Sequence, residues 1–457
     1  METDSFCIAA AEKRPINQSV IKGNNSGGDD AVKRVRRIER VDAPTKLNRE
    51  QQLMFDRVAN ARRFEPLFVS GSAGTGKSAL LVALRNHWRE RGKIVYVGAY
   101  THLASRNIDG RTCHSLFGFD FDLNLTDKDV GVPNYIILDE ISMIPDKMLD
   151  GIDSRMRQNT RNPHTPFGGV NVIVFGDLYQ LPPVDKNNYK KREKVLPPYE
   201  ADVWTEFKIY ELGENMRQTE QEYIHNLNLL RLGDFSCLPY FNTLVMDFAP
   251  EIEEKVAHTS LVSTHDEANT INNECYNFVV NEAETTLKCT TKLVPWSYKV
   301  NVFNAQQERL IFKQELQVCP GTRVMVTHTT QHFCNGDTGI IEYITDMGVY
   351  IRREHDNSLQ ILGPITLHFS SSRGYIKAVT GIPLNYGWAV TIHKAQGMTI
   401  KNLIVYPKCL FAPGQAYVAL SRCTHSKGLK LSCRIPDEGV KDMSFITEVY
   451  NSMEKWC

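Results

Sequence analysis

From about Leu47 onward, short apolar runs alternate with longer stretches of helical period, the pattern of a parallel sheet covered by helices. The runs at 67–69, 94–97, 135–138 and 170–175 are candidate buried strands, each followed by a loop rich in glycine or polar residues. A helix over about 78–89 is expected after the first of these loops. In α/β sheets of this kind function sits at the C-terminal ends of the strands, so these loops are where chemistry is to be sought. Further along, 322–326, 340–343 and 349–352 are rich in β-formers, with Asn335-Gly336-Asp337 as a turn signal, and 281–384 reads as a strand-rich insert. The first 45 residues differ: Asn, Ser, Gly and charge mix without apolar period, as at 23–30, and read as a disordered arm.

Composition narrows the class only a little. With 457 residues and 42% hydrophobic content the chain has material for about two to four domains with cores of their own. Its 53 basic and 53 acidic residues cancel, so any grip on nucleic acid must come from a local basic groove. The 11 cysteines include no CxxC pair and no Cys/His cluster at zinc spacing, which argues for ordinary thiols of a reducing compartment. No run approaches the roughly 20 apolar residues of a bilayer span, and Glu2 and Asp4 stand where a signal peptide would be basic. The expectation is a soluble, intracellular protein with no membrane partner. Within the arm, Lys33-Arg34-Val35-Arg36-Arg37 reads as a solvated basic run, or else as a nuclear address or a phosphate-binding patch.

The first strand loop holds the strongest signal, Gly71-Ser72-Ala73-Gly74-Thr75-Gly76-Lys77-Ser78, a full GxxxxGK[ST] match in the strand-loop-helix setting that motif requires. Glycines let backbone N–H groups turn toward phosphates, and the following helix aims its positive dipole end at them. Lys77 reaches the β and γ oxygens, and the Ser78 hydroxyl holds Mg²⁺. About 60 residues on, the run Tyr135-Ile136-Ile137-Leu138 ends in Asp139-Glu140. Such a pair is often only a helix N-cap; combined with the P-loop it reads as Asp139 for the magnesium and Glu140 for the attacking water, which makes the chain a hydrolase. The next strand leads into Gly176-Asp177-Leu178-Tyr179-Gln180-Leu181-Pro182-Pro183. Gln180 there suits a γ-phosphate sensor, and a proline turn ending a strand suits the segment equally.

Together these residues resemble the PIF-type and RecD-like DNA helicases of superfamily 1, from about Leu47 to Lys430. Leu47-Asn48-Arg49-Glu50-Gln51 is similar to the Q motif, with Gln51 as adenine reader, and Gly110-Arg111-Thr112-Cys113-His114-Ser115 to a motif that touches single-stranded DNA. Pro166-Phe167-Gly168-Gly169 resembles the segment that marks PIF-type members. Asn215-Met216-Arg217-Gln218, Thr391-Ile392-His393-Lys394-Ala395-Gln396-Gly397 and Gly414-Gln415-Ala416-Tyr417-Val418-Ala419-Leu420-Ser421-Arg422 resemble motifs IV, V and VI. The resemblance makes Arg217 and Arg422 arginine fingers, sets Gly397 beside the γ-phosphate, and nominates Thr101, His114, Thr264, Thr391, His393 and Lys394 as contacts to DNA. The chain departs from the family at His102, where glycine is common.

What the resemblance implies is a 5′ to 3′ ATP-dependent DNA helicase using Mg²⁺, a monomeric motor acting on single-stranded and forked duplex DNA. An RNA helicase and an ATP-gated nucleic-acid clamp are the alternatives. The implied fold is α/β, with two RecA-like motor domains at 46–206 and at 207–280 plus 385–457, and an SH3-like β-barrel at 281–384. The loop 186–194, with Tyr189-Lys190-Lys191-Arg192, reads as a solvated loop or a further DNA contact. Location would be nuclear if the source is a eukaryote or a nuclear-replicating virus.

Overall fold

The computed structural model describes residues 46–120, 122–183, 195–281, 286–290, 292–293, 311–313, 315–370 and 376–456. The expected arm at 1–45 with its basic run, and the loop 186–194, lie outside the described residues. The chain from Leu47 onward clusters as one unit.

The predicted strand runs form a six-stranded parallel sheet, in the spatial order Arg111–Thr112, Val95–Ala99, Tyr135–Asp139, Asn171–Gly176, Leu67–Gly71, Lys208–Leu212. Alternate residues of each strand face opposite ways, which is why the runs must be apolar throughout. Leu67, Val69, Ile137 and Phe175 pack under the helices Arg49–Ala59 and Lys77–Glu90, against Met54, Leu84 and Trp88. Phe68, Ile136, Leu138 and Val174 face the other side, where Asp146–Thr160 supplies Met148, Ile152 and Met156. A second parallel sheet has the order Ala389–Thr391, Thr259–Val262, Leu403–Val405, Leu429–Leu431. Both sheets put their strand C-termini on the edge where the motifs lie.

Between the strands of the second sheet the chain makes an insert. Its largest sheet is antiparallel, in the order Leu359–Leu362, Gly348–Arg353, Thr338–Thr345, Arg323–Val326, Leu384–Tyr386, and smaller two- and three-stranded sheets accompany it. The predicted Asn335-Gly336-Asp337 turn opens the strand Thr338–Thr345, with Gly336 at φ +92°. Among the described residues no sheet closes on itself, so the expected barrel is not seen. No helix among the described residues is long and apolar enough to cross a membrane, and the described cysteines are free thiols.

Packing moves three of the expected domain limits. Lys208–Leu212 pairs in parallel with Leu67–Gly71, so the first body runs past 206 to Leu212. Leu384–Tyr386 pairs with Arg323–Val326, carrying the insert's sheet past 384. The third difference is the largest: residues after 442, expected in the second half with 385–457, leave it and return to the first sheet. Met443, Ile446 and Tyr450 join Phe68 and Ile136 in one core, and the Trp456 backbone N–H donates to the Ile209 carbonyl at 2.8 Å. An apolar helix face such as that of Ser444–Ser452 requires a sheet to cover, and its sequence does not say which one.

Candidate nucleotide and nucleic-acid site

The P-loop leaves the fully buried strand Leu67–Gly71 and enters the helix Lys77–Glu90 through Gly76, which has φ +75° and ψ +23°. Gly74, at φ +94°, has no room for a side chain: a Cβ there would stand 2.8 Å from both Arg217 Cβ and Asn215 Oδ1. Glycine is required by conformation and by this close approach together. The Lys77 ammonium donates to the carbonyls of Gly71 at 2.6 Å and Ser72 at 2.9 Å, and the Thr75 hydroxyl also donates to Ser72 at 3.0 Å. Burial lowers the Lys77 pKa against the opposing pull of Asp177, Glu140 and Asp139. Gly71, Ser72 and Thr75 thus shape the loop, while Ala73, Gly74, Gly76, Lys77 and Ser78 line a cavity of about 260 Å³.

Asp139 and Glu140 enter the same cavity from the end of Tyr135–Asp139. Glu140 sits at φ +50° and ψ +50°, a left-handed conformation that is uncommon outside glycine and clusters at functional sites. Burial, then the adjacent Glu140 charge, raises the pKa of the Asp139 carboxyl. Across the cavity the Gln396 amide donates to Glu140 Oε2 at 3.0 Å. Gln180 lines the cavity too, and the side-chain oxygens of Gln180 and Gln396 are both buried without a hydrogen-bond partner. A buried amide oxygen left unpaired is costly, which marks both as open to an incoming donor.

Arg217, Arg422 and Gly397 complete the wall from the second half of the chain. Arg422 is 2% exposed and is held by the Val418 carbonyl at 2.9 Å and the Ser421 hydroxyl at 2.9 Å. Arg217 donates to the Ser421 carbonyl at 3.1 Å. Neither makes an ion pair with a carboxylate among the described residues. Burial lowers the pKa of both, and the charge of Arg422 adds to the effect on Arg217. Two guanidiniums shielded from water without a carboxylate in contact form a site for an anion.

Gln51, the expected adenine reader, is not among the residues lining the cavity. It is 1% exposed and lies beneath the P-loop; its amide donates to the Thr75 carbonyl at 3.0 Å, and its oxygen accepts the Asn48 N–H at 2.9 Å. With the Asn48 side chain accepting the Gln51 N–H in return, this is a helix capping box that braces the loop from behind.

The six DNA candidates fall in two pairs of neighbouring strand ends, outside the cavity. Gly98 and Ala99 pair with Arg111 and Thr112, so Thr101 and His114 leave adjacent strands of the first sheet. Thr391 pairs with Val262, so Thr264 emerges beside Thr391, His393 and Lys394 in the second. Thr101 and Thr264 cap helices with their hydroxyls, Thr391 is buried, and Lys394 is exposed. His114 lies against Tyr100 with ring centroids 5.5 Å apart, and His393 against the 60%-exposed Phe411 at 6.1 Å. Burial, then His265, lowers the pKa of His393. The helix His102–Asn107 after Thr101 meets the insert: Arg106 forms an ion pair with the buried Asp337, and Leu103 lies under Gly336.

Sequence reasoning missed several polar residues of this region. Gln396 is legible in the sequence only as a member of its motif, although it contacts Glu140. Tyr417, whose hydroxyl accepts the Ala73 N–H at 2.7 Å, ties the two halves, and Gln218 donates to the Cys423 carbonyl at 2.9 Å within the second. Their motif membership was the one available signal.

A P-loop and paired carboxylates on one parallel sheet, faced by two arginines from a second α/β half, define a P-loop nucleotide-binding fold with a composite site. The family model for PIF1-like helicase matches residues 46–237. It is 28% identical to the ATP-dependent DNA helicase Pif1 of Campylobacter jejuni, over 83% of this chain and 91% of that one. It is 26% identical to PIF1 of Xenopus laevis and of Homo sapiens, but spans 65% and 62% of those longer proteins. Among solved structures, Bacteroides Pif1 bound to single-stranded DNA superposes with a TM-score of 0.72 at 26% identity, over 89% of this chain and 97% of that one. Bacteroides Pif1 with ADP-AlF3 and single-stranded DNA gives 0.71 at 27%, again over 89% of this chain and 98% of the other. Candida albicans Pif1 gives 0.74 at 25%, with the same coverage of 89% and 98%.

Proposed function

We propose that this chain is an ATP-dependent DNA helicase that moves 5′ to 3′ along single-stranded DNA and unwinds the duplex ahead of it. The observation that supports this best is the composite cavity. Groups for binding phosphate, activating water and neutralising transition-state charge come from both halves of the chain, so hydrolysis and relative motion of the halves are coupled. The relatives act on DNA by name, and one solved Pif1 structure concerns DNA unwinding at forked duplex DNA.

In this reading Lys77 and the loop N–H groups hold the ATP phosphates, Glu140 orients the attacking water, and Gln180 senses the γ-phosphate. Arg217 and Arg422 meet the charge that develops on phosphoryl transfer. The Ser78 hydroxyl and the Asp139 carboxylate, both on the cavity wall, are oxygen donors suited to Mg²⁺. When bound with the nucleotide, the ion would neutralise phosphate charge. We read the two parallel-sheet bodies as RecA-like motor domains, covering 46–212 with the C-terminal helix and 213–280 with 387–442. The insert within the second body reads as an SH3-like module over the strand path. Thr101, His114, Thr264, Thr391, His393 and Lys394 would follow the phosphates between these parts. The motor is read as a monomer, and as nuclear in a eukaryotic setting.

The test is ATP hydrolysis with matched DNA and RNA oligonucleotides, together with strand displacement on forks of either polarity. DNA-stimulated hydrolysis with displacement of the 5′-tailed fork is expected. Stimulation by RNA alone would move the assignment to an RNA helicase, and stimulated hydrolysis without displacement would make the chain a clamp.

A further inference from the structure

The strands carrying the P-loop and Gln180 are neighbours, with Ser70 paired to Gly176, and they part immediately beyond that pair. One phenol fills the fork. The Tyr450 hydroxyl lies 2.7 Å from Ser70 Oγ, accepts the Leu178 N–H at 3.1 Å and donates to Asp177 Oδ1 at 3.4 Å. With the Ser70 hydroxyl donating, its single proton and both lone pairs are used. Asp177 is fully buried and takes a bidentate bond from Arg231, at 2.8 Å and 3.0 Å. That guanidinium also lies 4.2 Å from the centre of the Tyr179 ring, which stacks on Tyr450 at 5.1 Å. Residues 177, 178 and 179 are therefore each fixed, and the next residue is Gln180, with its buried, unpartnered oxygen in a cavity-lining side chain.

We propose that Tyr450, on a helix outside every motif of the site, is a positioning residue for ATP hydrolysis: it sets the loop of Gln180 against the P-loop. The assignment rests on the hydrolase reading above. Arg231 ends the helix Gln221–Arg231, which follows the segment bearing Arg217, so the same cluster ties the Gln180 loop to the half that delivers an arginine. Phenylalanine at 450 keeps the ring stack and removes the hydroxyl, leaving the Leu178 N–H buried without its acceptor. The loop is then free to shift by the few tenths of an ångström to which transition-state contacts respond.

The experiment is steady-state ATP hydrolysis, with saturating single-stranded DNA, by wild type, Tyr450→Phe, Gln180→Ala and the double variant, all well below their melting temperatures. Tyr450→Phe is expected to lower kcat on the order of 10-fold with KM for ATP within about twofold, as for a group whose effect appears only in the transition state. The double variant should be no slower than Gln180→Ala alone, because Tyr450 acts through Gln180. An unchanged kcat, or losses that multiply in the double variant, would overturn the proposal. If Tyr450→Phe does not fold, Ser70→Ala must show a smaller kcat loss of the same kind, and a folded Ser70→Ala with wild-type kcat overturns it equally. A wild type without hydrolysis would instead sink the hydrolase reading itself.

Discussion

Arg422→Met should separate stability from turnover more sharply than any other change at this site. The guanidinium is 2% exposed, and burial lowers its pKa because nothing acidic touches it. Exchanging buried ionic groups for apolar side chains of similar volume has been neutral or stabilising by about 1–4 kcal/mol. Against this stand the bonds to the Val418 carbonyl and the Ser421 hydroxyl, worth about 1.5–3 kcal/mol each at most. The Val418 carbonyl keeps a donor in Ser421 Oγ at 3.2 Å, so it is not orphaned. At the midpoints of these ranges, about 4.5 kcal/mol of lost bonding against about 2.5 gained, the net loss is about 2 kcal/mol, which for a chain of this size moves Tm by about 4 °C. Alanine would add a cavity penalty and blur the comparison. Turnover should fall on the order of 10³-fold, the scale of an arginine finger. The assays are thermal unfolding without nucleotide and DNA-stimulated phosphate release. A fall in Tm beyond about 10 °C with normal hydrolysis per folded molecule would show that Arg422 holds the fold and does not serve the reaction.

Glu140→Gln should still bind ATP yet hydrolyse it at least ~100-fold more slowly, since the amide keeps the shape but loses the base; near-normal turnover removes Glu140 from that role. Gly414→Ala should lose at least ~10-fold in hydrolysis and several degrees in Tm, because a β-carbon at φ +71° would sit 2.4 Å from the Tyr179 carbonyl, on the loop leading to Gln180. Wild-type behaviour in both assays would show that the two halves do not abut there in solution. If about four phosphates are contacted, log affinity for single-stranded DNA should fall against log salt with a slope near ~3. Lys394→Ala should lower that slope by a little under ~1 and weaken all sequences alike, and an unchanged slope would place motif V away from the strand.

Local signals were read well because the physics behind them is local. The P-loop needs its glycines at fixed places along the chain, and the strands around it must be apolar on both faces, so the predicted runs lie within two residues of the observed strands. Gln51 shows where such a signal is degenerate. A polar residue three places after Asn48 at a helix start serves a capping box and a ligand reader equally, and in this structure it forms the capping box. The insert's strands were legible from β-formers and a turn, while their closure was not, since closure depends on pairing between distant segments.

Tyr450 and the return of the C-terminal helix were invisible for a further reason, and it bears on how such a motor would move. Hydrophobic period identifies a face to be covered but not its partner, so the limits drawn from motifs assumed that the chain stays in the second half after Arg422. It crosses twice: between Leu212 and Gln221 on the way out, and between Leu431 and Ser444 on the way back. Arg217 lies in the first crossing, and the second leads to Tyr450 under the P-loop strand. Any opening of the cavity must therefore flex both connections at once. One withdraws an arginine and the other pulls on the fork that holds the Gln180 loop, so strain from separating the halves reaches the phosphate site from two sides.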